Sequence, residues 1–266
     1  MIVEWNHHLF SSDTARYPWH PRATYVPHQT HADPLADYLR SMHERGVDRA
    51  VIVQPEPYGD DHALVLDALA REPDRLRATS LFYPQDADAP RKLEALVQRE
   101  PRIVATRFHA HRGKEMYLDS FADAGVRALW EQAARLGLIV ELHIGPNYAG
   151  QVRELIAAFP DTPVLIDHLG EPAYGSIPEY ADVLALADFP NVIMKLSGID
   201  HIIADDPPAY RSVRRFIRQV ADAFGPARLA WGGDSPAMMR AHLADWPDAD
   251  VARVLGGNLA RLLGWL

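Results

Sequence analysis

The chain has 266 residues, no cysteine, and 27 Lys+Arg against 36 Asp+Glu, a formal net charge of −9. This excludes a disulfide framework, a thiolate nucleophile, an iron–sulfur cluster and a cysteine-type zinc site. The acidic balance argues against a nucleic-acid partner, which would need a basic face.

Hydrophobic residues make up 48% and charged residues 24%, the composition of a globular chain read as one domain over 1–266. The first twenty residues lack a basic start followed by an apolar run of signal length, and no stretch of about 18 apolar residues occurs. A cytoplasmic protein without a membrane partner is the expectation.

Strand-like and helix-like segments alternate along the chain. MIVEW (1–5) is the first apolar, β-branched run; Leu35, Leu39 and Met42 then repeat with helical spacing. RAVIVQ (49–54) precedes a helix carrying Leu64, Leu66 and Leu69, and RATSLFY (77–83) precedes one carrying Leu93, Leu96 and Val97. RIVATRF (102–108) is followed by Val126, Leu129, Trp130 and Ala133, and LIVELH (138–143) by Val152, Leu155 and Ile156. PVLIDH (163–168), NVIMKL (191–196) and RLAWGG (228–233) complete eight strands, with helices through Val183 and Leu186, through Val213 to Phe224, and a closing helix from about Val251 to Leu263. Eight such alternations predict a single (β/α)8 TIM-type barrel, with room for distortion and a C-terminal helix. The strands are apolar throughout, as parallel strands covered on both faces should be. A doubly wound sheet would carry a Gly-rich turn after its first strand; here Asn6-His7-His8 follow, with no glycine before Gly46. Two long connections, 9–33 and 109–120, are expected to be binding loops.

In such barrels chemistry sits at the carboxyl ends of the strands. There the sequence places Asn6, His7 and His8 (strand 1), Gln54 and Glu56 (strand 2), and Arg107, His109 and His111 (strand 4). His143 (strand 5), Asp167-His168 (strand 6), Lys195 and Ser197 (strand 7) and Asp234 (strand 8) complete the ring. Bland alternatives exist for each. Asp167 alternates with His168 and is expected to face the helices. Asp234 precedes Ser235-Pro236 and reads equally as a helix cap. Lys195 is expected as a cation at the rim. With Arg107, Arg112 and Lys114 nearby, it forms a local positive pocket suited to an anionic small-molecule substrate. His43, His62 and His242 fall on helical segments and are expected to be solvated. His20 and His28, in the first long loop, are pocket candidates.

These segments also resemble the amidohydrolase superfamily, in particular the amidohydrolase-2 group that includes 2-pyrone-4,6-dicarboxylate lactonase and sugar lactonases. VEWNHHLF (3–10) is similar to the strand-1 Asp-x-His-x-His signature, VELHIG (140–145) to the strand-5 histidine, and VLIDHLGEP (164–172) to the strand-6 histidine segment. NVIMKLSG (191–198) resembles the strand-7 Lys-x-Ser-Gly, WGGDSP (231–236) the strand-8 Gly-x-Asp-x-Pro, and VLGGNLARLLG (254–264) the closing helix. The likeness spans essentially the whole chain. It departs at strand 1, where Asn6 stands at the first histidine and Glu4 at the usual Asp.

The resemblance implies a hydrolase of a small, carboxylated or sugar-derived lactone. Asp234 would activate water, and His8, His143 and His168 would polarise the carbonyl, with Arg107, Lys195, His109, Gln54 and Asn6 contacting substrate. Strand 4 offers Arg107 and no bridging ligand, which argues against two metals. One divalent ion, zinc or manganese, held by His8, His143, His168 or Asp234 is one expectation. No metal at all is the other, because the subgroup can replace the ion with hydrogen-bond donors. The alternatives are a zinc-dependent non-hydrolytic decarboxylase of the same family, or a barrel that binds a small acid without turnover.

Overall fold

The computed structural model describes residues 1–110, 117–203, 205–233 and 235–266, with the backbone alone at His201. Its eight strands are β1 (Val3–His7), β2 (Arg49–Val53), β3 (Leu76–Leu81), β4 (Ile103–Ala110), β5 (Ile139–Ile144), β6 (Val164–Ile166), β7 (Val192–Leu196) and β8 (Leu229–Trp231). Each pairs in parallel with the next, in the order β1 to β8. The result is a nearly closed (β/α)8 barrel with helices between the strands, as the alternation predicted. All eight predicted strands are present, displaced by a residue or two at their ends.

Helices α1 (Pro34–Arg45), α2 (Ala63–Arg71), α3 (Ala89–Arg99), α4 (Ala124–Arg135), α5 (Ala149–Ala158) and α6 (Ile177–Leu184) follow the first six strands. A short α7 (Ile199–Ile202) and a longer α8 (Arg214–Phe224) follow β7; α9 (Pro236–His242) follows β8. Local signals set their ends. At the start of α1 the Asp33 carboxylate accepts from the Ala36 N–H, and Gly46 closes the helix at φ 67°, a conformation that costs glycine little. Helix α6 starts at a Ser176–Glu179 capping box.

Two apolar regions result. The larger lies between strands and helices. The smaller fills the barrel with Val3, Trp5, Val51, Val53, Ala105, Ile139, Leu165 and Ala230, all buried. Leu259, Ala260 and Trp265 join it from the chain end, with the Arg49 and Arg77 guanidiniums each 5.3 Å from the Trp265 ring. The carboxyl-terminal segment therefore seals the amino-terminal mouth of the barrel.

The closing helix is not continuous as predicted. It breaks into α10 (Asp248–Ala252), a widened turn at Arg253–Gly257 and α11 (Asn258–Leu262). The reason is contact with β1. A Cβ on Gly256 would lie 2.5 Å from the Met1 carbonyl oxygen and 2.7 Å from the Val3 nitrogen. Asn258 then donates from Nδ2 to the Pro226 and Leu229 carbonyls, both at 2.8 Å, and ties this segment to β8. Among the described residues, no helix is long and apolar enough to cross a membrane.

Candidate active site

Strand periodicity builds the site in layers. Ala105, Ile139 and Leu165 point into the barrel, so residues two further along point the same way. Those are Arg107, Glu141 and Asp167. Lys195 of β7 joins them, and all four are buried. Arg107 donates from Nε and Nη2 to Asp167 Oδ2, at 3.2 and 2.8 Å. Lys195 Nζ lies 2.6 Å from Asp167 Oδ1 and 2.8 Å from Glu141 Oε1. Burial works to raise the Asp167 carboxyl, but the Lys195 and Arg107 cations outweigh it and hold its pKa far below the usual range. Burial, reinforced by the Asp167 charge and opposed by Lys195 and Arg107, pushes Glu141 up to about 7.

Three expectations are corrected here. Lys195 is not a rim cation; it is fully buried between two carboxylates. Asp167 does not face the helices. Gln54 is not brought to the site; its Nε2 donates to the Gly59 and Asp61 carbonyls at 3.0 and 2.7 Å and pins the β2–α2 loop.

Imidazoles form the next layer. His109 and His143 are register partners on β4 and β5, with ring centroids 4.7 Å apart and edge to face. His143 and His168 repeat that geometry, also at 4.7 Å. Arg107 Nη2 lies 2.9 Å from His143 Nδ1. A guanidinium only donates, so Nδ1 is the acceptor and Nε2 carries the hydrogen. Nε2 in turn lies 2.8 Å from the buried Glu171 Oε1. His143 is thus a neutral ring held at both nitrogens.

His168 and Glu171 reach the site through unusual backbone. Strand β6 stops at Ile166, and His168, Leu169, Gly170 and Glu171 all have φ between 52° and 70°. The left-handed region costs a non-glycine residue about 1–2 kcal/mol, and such strain concentrates at functional sites. The turn cancels strand alternation, so Asp167 and His168, neighbours in sequence, both face inward. His168 Nδ1 lies 2.8 Å from the buried Ser197 Oγ.

Strand β1 carries a bulge. Register passes from Trp5↔Val51 to His7↔Ile52, leaving Asn6 as the extra residue. A Cβ on Gly233 would lie 3.4 Å from Asn6 Cβ, so Asn6 stands against the end of β8. His7 turns outward and stacks on Tyr38 at 3.6 Å. His8 turns inward. Its Nδ1 lies 2.8 Å from the Val53 carbonyl, which can only accept, so Nε2 keeps its lone pair. Burial, then the Arg107 charge, lowers the His8 pKa to about 4. Glu4, at the usual Asp position, lies behind the strand: it accepts from Arg45 at 2.7 and 2.9 Å and from Tyr38 Oη at 2.7 Å.

The first long loop folds over one side of the mouth. The Thr24 N–H donates to Glu56 Oε1 at 2.9 Å, Trp19 packs on Tyr58, and His20 stacks on Tyr83. His28 is exposed. His62 and His242, expected to be solvated, are buried instead; His62 Nε2 accepts the Leu81 N–H at 3.1 Å. Asp234, His111, Arg112 and Lys114 lie outside the described residues. Sequence reasoning missed Glu141 and Glu171. The first had a signal, two residues before His143 on the same face; the second had none, because only the left-handed turn brings it in.

Donor atoms of His143, Asp167 and His168 lie within 4.8 Å of one another, close enough to suggest a metal site. Their partners argue otherwise. Arg107 occupies the His143 Nδ1 lone pair, and both Asp167 oxygens face cations at under 3 Å. A divalent ion added there would meet two positive charges in a low-dielectric interior. As arranged, these three residues do not fit one.

The sequence profile of the amidohydrolase family matches residues 4–265. The chain belongs to that family. This amidohydrolase is an enzyme of the hydrolase class, and its relatives include curated lactonases. It is 28% identical to the 4-sulfomuconolactone hydrolase of Hydrogenophaga intermedia, over 96% of this chain and 79% of that one. It is 30% identical to the 4-sulfomuconolactone hydrolase of Rhizobium radiobacter, over 87% and 75%. Among solved structures it is similar to a probable 2-pyrone-4,6-dicarboxylic acid hydrolase of Acinetobacter baumannii with citric acid bound. The TM-score is 0.81 at 20% identity, over 99% of both chains, a likeness of fold.

Proposed function

We propose that this amidohydrolase opens a small anionic lactone by hydrolysis, using hydrogen-bond donors and a carboxylate in place of a divalent ion. One observation carries the metal-independent part: Arg107 and Lys195 occupy the lone pairs of His143 and Asp167 that an ion would need. The relatives' substrates, a sulfonated lactone and a pyrone dicarboxylic acid by name, favour the anionic lactone.

Roles follow from the hydrogen bonds. Ser197 Oγ–H donates to His168 Nδ1, which leaves Nε2–H to polarise the lactone carbonyl and to stabilise the oxyanion as water adds. His8 Nε2, a lone pair with its ring fixed by Val53, accepts one hydrogen of the attacking water. Asp234 takes the other proton and returns it to the leaving alkoxide, so the ester C–O bond breaks and a hydroxy acid forms. His143 is a positioning residue: its two nitrogens are tied to Arg107 and Glu171, and its ring braces His109 and His168. Asn6, at the bulge beside β8, offers its amide to the substrate.

The experiment is turnover of a panel of carboxylated and neutral lactones by the purified protein, before and after chelation. The expected result is hydrolysis that survives chelation, with Asp234→Asn losing about 10²–10⁴-fold in kcat. Loss on chelation with recovery on added zinc would refute metal independence. Asp234→Asn retaining more than about a tenth of the activity would remove Asp234 from this role. Binding of the panel without turnover would favour the non-catalytic barrel.

A further inference from the structure

A cavity of about 620 Å³ opens where the connections after β7 and β8 meet. Its wall includes Asp200, three residues past Ser197, and Ser235, the next residue after Asp234. Both residues follow in sequence the ends of β7 and β8. Elsewhere the wall is apolar, with Met238 and Ala241 of α9, and cationic, with Arg214 at the start of α8 and Arg211, which pairs with Asp206 at 2.9 Å.

Charge accounting gives this cavity a purpose. Among the described residues, Arg107 and Lys195 are committed inside the barrel to Asp167, His143 and Glu141. They hold one another's fields in balance, so among the described residues they leave no cation inside the barrel for the anionic part of a substrate. Arg214 differs. Its partner is Asp245 at 3.3 Å, with 46% and 58% of the two side chains exposed. A pair so solvated contributes little, so the guanidinium is available to a ligand carboxylate or sulfonate. A second observation points to an occupant. His242 in the same wall is 96% buried, at 4% exposed, with a hydrogen bond to the Ala209 backbone and no partner for Nε2. A buried acceptor left unmade is costly, and a water bridging Nε2 to the acid group of an occupant would satisfy it.

We propose that this cavity is the specificity pocket of the enzyme and receives the anionic arm of the substrate. The acid group sits on Arg214, its linker lies against Met238 and Ala241, and the lactone ring reaches the imidazoles. This rests on the lactonase reading and names the class: a lactone bearing a carboxylate or sulfonate on a short apolar arm.

The test pairs two five-membered lactones, one with a carboxymethyl arm and one with a methyl arm. Arg214→Gln, at an exposed position, is expected to raise KM for the acid at least tenfold, leaving its kcat and both constants for the neutral ring within threefold. Equal changes for both rings, or none, would overturn the assignment. Calorimetry with cyclopentylacetate, which cannot be hydrolysed, reads the pocket separately. The wild-type chain should bind it, and Arg214→Gln and the cavity-filling Ala241→Phe should each bind at least tenfold more weakly. No binding by the wild type, or undiminished binding by the variants, overturns the pocket. A wild type that hydrolyses neither lactone but shows Arg214-dependent binding removes the lactonase reading and leaves the pocket standing.

Discussion

Replacing Lys195 by Met tests whether the buried charges act as one unit. Lys195 Nζ answers Glu141 Oε1 at 2.8 Å and Asp167 Oδ1 at 2.6 Å, with all three side chains fully buried. Asp167 keeps Arg107 after the change, whereas Glu141 loses the ammonium that it faces at 2.8 Å. Breaking a buried pair from one side costs about 3–5 kcal/mol, because a charge is left without compensation. Against a domain stability of about 5–15 kcal/mol, that is a large share. Denaturant unfolding should show a lower midpoint with unchanged slope, since the surface exposed on unfolding hardly changes. Lys195→Met/Glu141→Gln should recover more than half of the loss, because the orphaned carboxylate becomes a neutral amide. A Lys195→Met variant within about 1 kcal/mol of wild type would refute the coupling. So would a double variant no more stable than the single one.

Other outcomes are expected elsewhere in the barrel. Burial lowers the His62 pKa from 6.5 to about 4 while Nε2 accepts from Leu81. The unfolded chain therefore binds a proton that the folded chain refuses, and the stability from neutral His62 is present above pH 6.5 and drains away towards pH 4. His62→Gln keeps an acceptor but not the titration, so between pH 7.5 and pH 5 it should lose about 2 kcal/mol less than wild type in denaturant melts; parallel losses would contradict this. Gly232→Ala would set a Cβ 2.7 Å from both Lys195 Cγ and Ser197 Cβ. Overpacking of that kind costs about 1–3 kcal/mol, and kcat should fall with it because Ser197 orients His168. Unchanged kcat in a folded Gly232→Ala chain would mean that Ser197 does not set the His168 ring.

The floor of the barrel and its opposite mouth divide two kinds of constraint. Trp265 and the closing segment seal one end with apolar contact, which tolerates exchange of similar volumes. At the other end the His168–Glu171 turn keeps four residues in the left-handed region, and the surrounding hydrogen bonds must hold that geometry against its cost.

What the sequence determined is periodic. Eight apolar runs spaced by helical repeats define a parallel barrel, because burial on both strand faces and helical stripes leave a pattern that survives without coordinates. The inward direction of Arg107, His109 and His143 was legible from the same two-residue alternation. Tertiary structure decided everything that breaks the period: the β1 bulge that separates Asn6 from His8, the left-handed turn that turns both Asp167 and His168 inward and brings in Glu171, and the widened turn at Gly256. It also decided charge. A lysine or arginine in a sequence reads as a free cation, but whether it meets a carboxylate 60 residues away, as Arg107 meets Asp167, depends on how the strands close around a common axis.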